Sequence, residues 1–207
     1  MQPLELTLIV AATRSMGIGL NGTMPWKGLR KEMQYFARVT SRVPSESPSG
    51  AMNAVIMGRK TWDSIPPKFR PLKDRLNIVI SRSATQAPPT TPVSVTEPIR
   101  VSSLEQALKF AGDQPSVGRV FVIGGAQIYE AALRLPEAKR ILLTSLERDF
   151  ECDTLFPDFK KEGESGKWEK RSMEEQTAWT GEESEVVEGD HEEAGTKYQF
   201  QMWEKTV

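Results

Sequence analysis

The apolar positions of this chain fall in short unbroken runs separated by segments of helical spacing. Leu6 to Ala12 (Leu-Thr-Leu-Ile-Val-Ala-Ala) has the length and composition of a buried strand. Asn53 to Met57, Asn77 to Ser81, Val120 to Ile123 and Arg140 to Leu146 read as further strands. Between them, Leu29 to Thr40 has helical period, and Arg59 to Ile65 reads as a helix turn stopped by Pro66-Pro67. Leu104 to Ala111 is a short helix with Ser102 or Ser103 as cap, and Ala126 to Leu133 reads as another helix. Strands alternating with helices predict an α/β fold with a mostly parallel central sheet and flanking helices. Lys197 to Glu204 differs: Tyr198, Phe200 and Met202 alternate with Gln199, Gln201 and Trp203, which predicts an antiparallel edge or hairpin strand. Ser15 to Met24, with Gly17, Gly19 and Gly22, reads as a flexible loop, closed by Pro25 and Trp26. Pro44 to Gly50 and the Pro/Thr-rich Pro88 to Pro98 read as connectors, and the acidic stretch Thr180 to Gly195 as a solvated hairpin loop.

In open α/β sheets, ligands bind outside the carboxyl ends of the strands. Three such junctions carry chemistry here: Gly58-Arg59-Lys60-Thr61, Ser81-Arg82 and Gly124-Gly125. Each offers backbone N–H groups, and two add arginine. A helix start of this kind takes phosphate, because its first N–H groups lack partners and the helix dipole is positive there. Taken singly, a Gly-Gly is equally a tight turn and each arginine a solvated charge. Their recurrence at equivalent strand ends favours a nucleotide cradle.

Composition narrows the field. The chain has 207 residues, 38% apolar and 27% charged, with a formal net charge of −1. That length fits one domain, residues 1–207, and the charge gives no electrostatic case for nucleic acid. No basic region followed by a long apolar stretch opens the chain, and no run reaches the length of a membrane span, so a cytoplasmic, membrane-free protein is expected. The single cysteine, Cys152, reads as an ordinary buried thiol in a reducing compartment. The single histidine, His191, sits among acids and glycines and reads as a solvated loop residue. Without a second His or Cys nearby there is no zinc constellation, and no metal is expected. Any chemistry therefore rests on a carboxylate, a cofactor, or both.

The helix Leu29 to Thr40 carries the candidate carboxylate. Leu29, Met33, Phe36 and Ala37 (or Thr40) form an apolar stripe, and Glu32 lies on its edge. A carboxylate against an apolar face is costly unless it has a partner. Either it swings into water or pairs with Lys27 or Lys31, or it lines an apolar cleft and waits for a cationic nitrogen donor.

Seven segments then match, in order, the pattern of a known family: Met16 to Trp26, Leu29 to Phe36, Val55 to Trp62, Ser64 to Pro66, Arg70 to Lys73, Ile123 to Tyr129 and Phe150 to Pro157. From Leu6 to Lys205 the chain resembles the dihydrofolate reductase family, in its monofunctional eukaryotic, fungal-like form. The resemblance implies an oxidoreductase that reduces 7,8-dihydrofolate to tetrahydrofolate with NADPH, by hydride transfer to C6 and protonation at N5, and that antifolates inhibit. It implies a monomer.

The family's roles carry over by position. Glu32 would hold the pterin 2-amino group and N3, with Thr144 bonding both that carboxylate and the pterin amine and Trp26 ordering a pocket water. Ile9, Val10, Met24, Met33, Phe36, Ile65 and Ile123 would form apolar walls, with Ser64, Leu72 and Tyr129 beside the substrate. Arg75 would clamp the α-carboxylate of the glutamate tail through its planar fork. Ala11 and Ile18 would hold the nicotinamide carboxamide, with Gly17, Gly19, Gly22 and Thr23 in the loop above. Gly58, Arg59, Lys60 and Thr61 would hold phosphates, and Ser81, Arg82 and Ser83 the 2′-phosphate. Ile123, Gly124, Gly125, Ala126, Gln127, Ile128 and Tyr129 would lie under the pyrophosphate and nicotinamide, with a cis Gly124-Gly125 bond. Met24 and Met33 depart from the leucine and phenylalanine of vertebrate members, which implies altered antifolate affinity. Reductases of riboflavin synthesis share a related fold and NADPH, but would not need Glu32, Thr144 and Arg75 together.

Overall fold

The computed structural model describes residues 3–84, 88–89, 96–161 and 166–206. The elements in chain order are β1 (Leu6–Ala12), β2 (Gly17–Gly19), α1 (Arg30–Ser41), β3 (Met52–Gly58), α2 (Arg59–Ser64), β4 (Arg75–Ile80), β5 (Ile99–Val101), α3 (Leu104–Asp113), β6 (Val117–Gly124), α4 (Ala126–Leu133), β7 (Ala138–Leu146), β8 (Thr154–Leu155), β9 (Trp168–Lys170), α5 (Met173–Thr180), α6 (Ser184–Val187), β10 (His191–Glu193) and β11 (Thr196–Lys205). The connector expected over Pro88 to Pro98 lies largely outside the described residues.

The main sheet runs β10-β11-β7-β1-β6-β3-β4-β5, with β9 also on β11. Every pair from β7 to β5 is parallel, and β11 is antiparallel to β7, β9 and β10. The mostly parallel sheet and the C-terminal edge hairpin, β10–β11, are as the hydrophobic pattern predicts. The strand β11 itself is flanked by β7 on one side and by β9 and β10 on the other, so it is the inner strand of the hairpin, and its buried Tyr198, Phe200 and Met202 alternate with partly exposed Gln199, Gln201 and Trp203.

Strand alternation divides the interior into two cores, because successive side chains point to opposite faces. Leu6, Leu8, Val10 and Ala12 join one core with α3, α4, Phe156 and Phe159. Ile9 joins the other, with Trp26, Leu29, Tyr35, Val39, Trp62, Tyr198 and Phe200. The helix α1 buries Tyr35, Val39 and Thr40; of the anticipated stripe, Leu29 at the helix start and the alternative Thr40 are buried, while Met33, Phe36 and Ala37 are not. Met33 is 59% exposed and Phe36 only half-buried. Asn53, fully buried on β3, donates to Thr40 O and Arg42 O and so completes the carbonyl end of α1.

Three expectations about loops need correction. The segment Ser15 to Met24 is tied down rather than loose: β2 pairs with β8, Asp153 donates to Gly19 O, and Asn21 N–H donates to Asp153 Oδ2. The acidic stretch is structured, containing α6 and β10 and a Glu182 side chain only 3% exposed. His191 lies on β10 with its ring stacked on Tyr198 at 5.3 Å, and its buried Nε2 has no hydrogen bond among the described residues. In both places, alternation over only three residues was too short to register as a strand.

Candidate active site

Glu32 stands at the third position of α1, beside the sheet. Its Oε1 accepts a hydrogen bond from Thr144 Oγ1 on β7 at 3.0 Å, and Thr144 is 3% exposed. Neither lysine suggested as a partner reaches it; among the described residues Glu32 forms no ion pair. Burial pushes its carboxyl up from an ordinary 4.5 to about 7; the Thr144 bond opposes this and the Glu193 charge adds to it. The side chain can therefore carry a proton near neutral pH.

Around it, the expected wall residues assemble as one half-buried rim. Ala11, Phe36, Ile65, Leu72 and Ile123 all pack against the core that contains Ile9 and Trp26. Trp26 is buried and tilted against Phe150 at 5.8 Å. Met24, 49% exposed, and Met33 are exposed apolar surface. Val10 does not belong to this set: it lies on the opposite face, since it neighbours Ile9 on one strand. Ser64 spends its hydroxyl on Thr61 O at 2.6 Å, ending α2. Tyr129 is buried, and its hydroxyl donates to Ile9 O at 2.7 Å, tying α4 to β1.

Arg75, on β4, is 8% exposed. Its Nε donates to Lys73 O at 2.8 Å and its Nη1 to Thr40 Oγ1 at 2.9 Å. Nη2 has no hydrogen bond among the described residues, and the guanidinium forms no ion pair there. Desolvation holds its pKa below the ordinary arginine value, partly offset by Asp74. A buried cation fixed on two sides and open on a third is a ready receptor for a carboxylate.

The three strand-end junctions also converge. The parallel pairings set Met57 beside Gly124 and Gly58 beside Ile80, so Gly58, Ser81 and Gly124 close neighbouring strands. The Gly124-Gly125 bond is cis, as the family resemblance implies, and Gly124 has φ 137°. A Cβ on Gly124 would come within 3.0 Å of Thr61 Oγ1, and one on Gly58 within 3.4 Å of Ile128 Cγ1. These glycines let α2, α4 and two strand ends meet. Arg59, Lys60 and Arg82 are exposed and form no ion pair among the described residues, while Ser81 and Ser83 share a hydroxyl bond at 2.9 Å. Gly17 is a packing position rather than an open one, since its Cβ would sit 2.5 Å from Cys152 Sγ. Ile18 and Ile128 pack against the α3–α4 core. Gly22 has positive φ, Thr23 bridges to Leu20 across the turn, and Gly19 pairs with Thr154 of β8.

The family model described as dihydrofolate reductase matches residues 5–188. The chain belongs to the dihydrofolate reductase family. It is 42% identical to the dihydrofolate reductase of Pneumocystis carinii over 214 residues, covering 100% of this chain and 99% of that one. It is 41% identical to the enzyme of Cryptococcus neoformans, over 96% of this chain and 94% of that one. Schistosoma mansoni dihydrofolate reductase superposes with a TM-score of 0.73 at 31% identity, over 98% and 99% of the two chains. The eukaryotic, fungal-like character expected from the motifs agrees with these relatives. No helix of the described residues is long and apolar enough to cross a membrane.

Sequence reasoning missed three features. Tyr35, spaced three after Glu32 and four before Val39, was available as a helical period but went unread. The Thr40 hydroxyl on Arg75 and the Glu193 carboxylate near Glu32 are contacts between distant segments, and no local pattern announces them.

Proposed function

We propose that the protein reduces 7,8-dihydrofolate to 5,6,7,8-tetrahydrofolate with NADPH, Glu32 serving as the acidic group of the pterin site. The observation that carries the reading is the Glu32–Thr144 pair: a desolvated carboxyl with one neutral partner, protonatable near pH 7. Such a group matches an acid needed at working pH. It also offers two oxygens to the 2-amino group and N3 of a pterin. Arg75 lies ready for the glutamate tail, which a riboflavin-pathway pyrimidine lacks.

The residues at the strand ends fit NADPH. Arg59, Lys60 and Arg82 are exposed cations without carboxylate partners among the described residues; Arg59 and Lys60 open α2, Arg82 follows β4, and Ser81 and Ser83 add hydroxyls. When bound, NADPH supplies the hydride. Arg59, Lys60 and Thr61 would hold its phosphates, Arg82 and Ser81 its 2′-phosphate, and the backbone of Ala11 and Ile18 its carboxamide. Ile9, Trp26, Phe36, Ile65, Leu72 and Ile123 would enclose the pterin and exclude water, which strengthens every charge interaction inside. Cytoplasmic residence and a monomeric state complete the proposal.

Measuring NADPH oxidation with dihydrofolate, and in parallel with a pyrimidine ribitol substrate, tests it. Turnover of dihydrofolate alone is expected. Turnover of only the pyrimidine, or of neither by folded protein, would overturn it.

A further inference from the structure

The helix that carries Glu32 cannot cap itself. Its N-cap residue is Leu29, which has no side-chain acceptor for the first N–H groups. By contrast, α3 uses Ser103 and α5 a full capping box, Ser172 with Glu175. The acceptor for α1 comes from the far end of the chain. Glu193, on β10, takes the Lys31 N–H on both carboxylate oxygens, at 2.9 and 3.2 Å. The same Oε1 accepts the Tyr198 hydroxyl at 2.6 Å. The turn that follows is tight, with Ala194 and Gly195 at φ 49° and 74° between the paired residues Glu193 and Thr196. Its Ala194 Cβ sits where a Cβ on Gly28 would be 3.2 Å away, so the hairpin rests on the segment entering α1.

We propose that Glu193 is a positioning residue for Glu32: its carboxylate caps the first turn of α1 from the C-terminal hairpin and brings a negative charge to the turn that carries Glu32. The inference rests on the reading of Glu32 as the acid of dihydrofolate reduction. Lys31, the capped residue, immediately precedes Glu32, so the anchor acts on the same turn. The groups that face Glu32 are Tyr35 of its own helix, Tyr129 of α4, Thr144 of β7, Tyr198 of β11 and Glu193 of β10. Burial pushes all three tyrosine hydroxyls up, so they stay neutral through the working range. Among the described residues, the charge that bears on Glu32 is therefore that of Glu193. Glu193 itself is faced by the Lys31 amide of α1 and Tyr198 of β11, with His191 and Glu192 on its own strand and Lys197 on β11 opposite Glu192. His191 stacks on Tyr198 at 5.3 Å, and its replacement leaves the carboxylates of this hairpin as the groups under test.

The test is the titration of the Glu32 carboxyl, followed by carboxyl 13C resonance in ligand-free full-length protein carrying His191→Gln. Glu193→Gln keeps one oxygen as acceptor for the Lys31 N–H and the Tyr198 hydroxyl, loses the longer 3.2 Å contact to Lys31 N–H, and removes the charge. Glu192→Gln, on the exposed neighbour, removes one charge from the same strand. The expected result is that Glu193→Gln lowers the pH at which Glu32 titrates, by on the order of half a pH unit. Glu192→Gln should leave it in place. In NADPH-dependent turnover the fall in hydride-transfer rate with rising pH should move down by the same amount, with KM for dihydrofolate unchanged within about twofold. A Glu32 titration that stays put in Glu193→Gln, or that moves equally in Glu192→Gln, overturns the proposal. Glu193→Ala removes cap and charge together, and should lower the rate at every pH as well. If that variant does not fold, the glutamine pair still decides. Because the carboxyl signal needs no substrate, a shift without dihydrofolate turnover would refute the activity and leave the positioning role. Turnover without a shift would do the reverse.

Discussion

Two glutamates meet the helix α1, and water is largely excluded from both. Glu32 in its first turn faces a threonine hydroxyl and a like charge, and its carboxyl rises to about 7. Glu182 reaches the other end of the helix, where it takes Arg38 Nη2 at 2.7 Å and Arg42 Nη1 at 2.9 Å. Burial alone would push Glu182 up as well, but the two guanidinium bonds and charges outweigh it and hold the carboxyl below its ordinary value. Desolvation is common to both; the difference is the partner. A buried carboxylate with two cations is a fixed ion pair that fastens α1 to the segment after α5. One with only a neutral donor stays exchangeable, and is costly enough to be kept only where it is used.

Removing each charge in turn should break the comparison in opposite directions. Glu32 has a folded pKa above its unfolded one. Its folded state is therefore favoured at pH below 4.5, and that advantage is lost as pH rises through about 7. Glu32→Gln should then be more stable than the parent at pH 8, by up to about 3 kcal/mol at about 1.4 kcal/mol per pH unit, and equal to it at pH 4. Urea unfolding at the two pH values reads this. A variant less stable at pH 8 would mean that the carboxylate is not strained in its site.

Glu182 is the mirror case. Its lowered pKa gives stability that is present above the unfolded value and lost as pH falls through the folded one. Glu182→Gln should cost about 2 kcal/mol near pH 7, the range for a charge-assisted bond, with the gap closing in acid. Arg38 and Arg42 are 41% and 37% exposed and can turn to water, which keeps the loss below that of a fully buried pair. Dihydrofolate turnover per folded molecule should hardly change. A large fall in turnover with unchanged stability would place Glu182 in the chemistry and erase the contrast.

A third variant sharpens the comparison from the cation's side. Arg75 is buried like Glu182 but lacks a carboxylate among the described residues. Lysine in its place offers a point charge instead of a fork. Arg75→Lys should weaken methotrexate, which carries the glutamate tail, by about tenfold, or roughly 1.4 kcal/mol. Trimethoprim, which lacks that tail, should bind as before. Dissociation constants for both drugs on both proteins settle it: equal weakening would make Arg75 structural.

The sheet was legible because its parallel strands are apolar runs that need no partner to be recognised, and Ala126 to Leu133 is a helix to the residue. Short elements failed. Ile99–Val101, His191–Glu193 and Thr154–Leu155 are strands only because neighbours supply their hydrogen bonds. The stripe on α1 failed differently. Met33 is apolar but exposed and Phe36 only half-buried, while Tyr35 and Val39 are buried, so hydrophobicity alone cannot say which apolar side is covered. Glu32 stood out from its place on the helix stripe, whereas Thr144 and Arg75 were named only through the family's motifs. What holds them, Glu193, Thr40 and the buried Tyr198, comes from residues far along the chain, where local spacing carries no signal.

The central claim is that Glu32 is the titrating acid of hydride transfer. The direct measurement is the single-turnover rate of NADPH oxidation by dihydrofolate from pH 5.5 to 9, for the parent and for Glu32→Gln. The account predicts a parent rate that falls with rising pH through about 7, where the Glu32 carboxyl loses its proton. It predicts a variant slower by about 100-fold or more at pH 7, as expected on losing a positioned acid, with that break gone from its profile. A variant within about threefold of the parent, or one keeping the same break near 7, would contradict it.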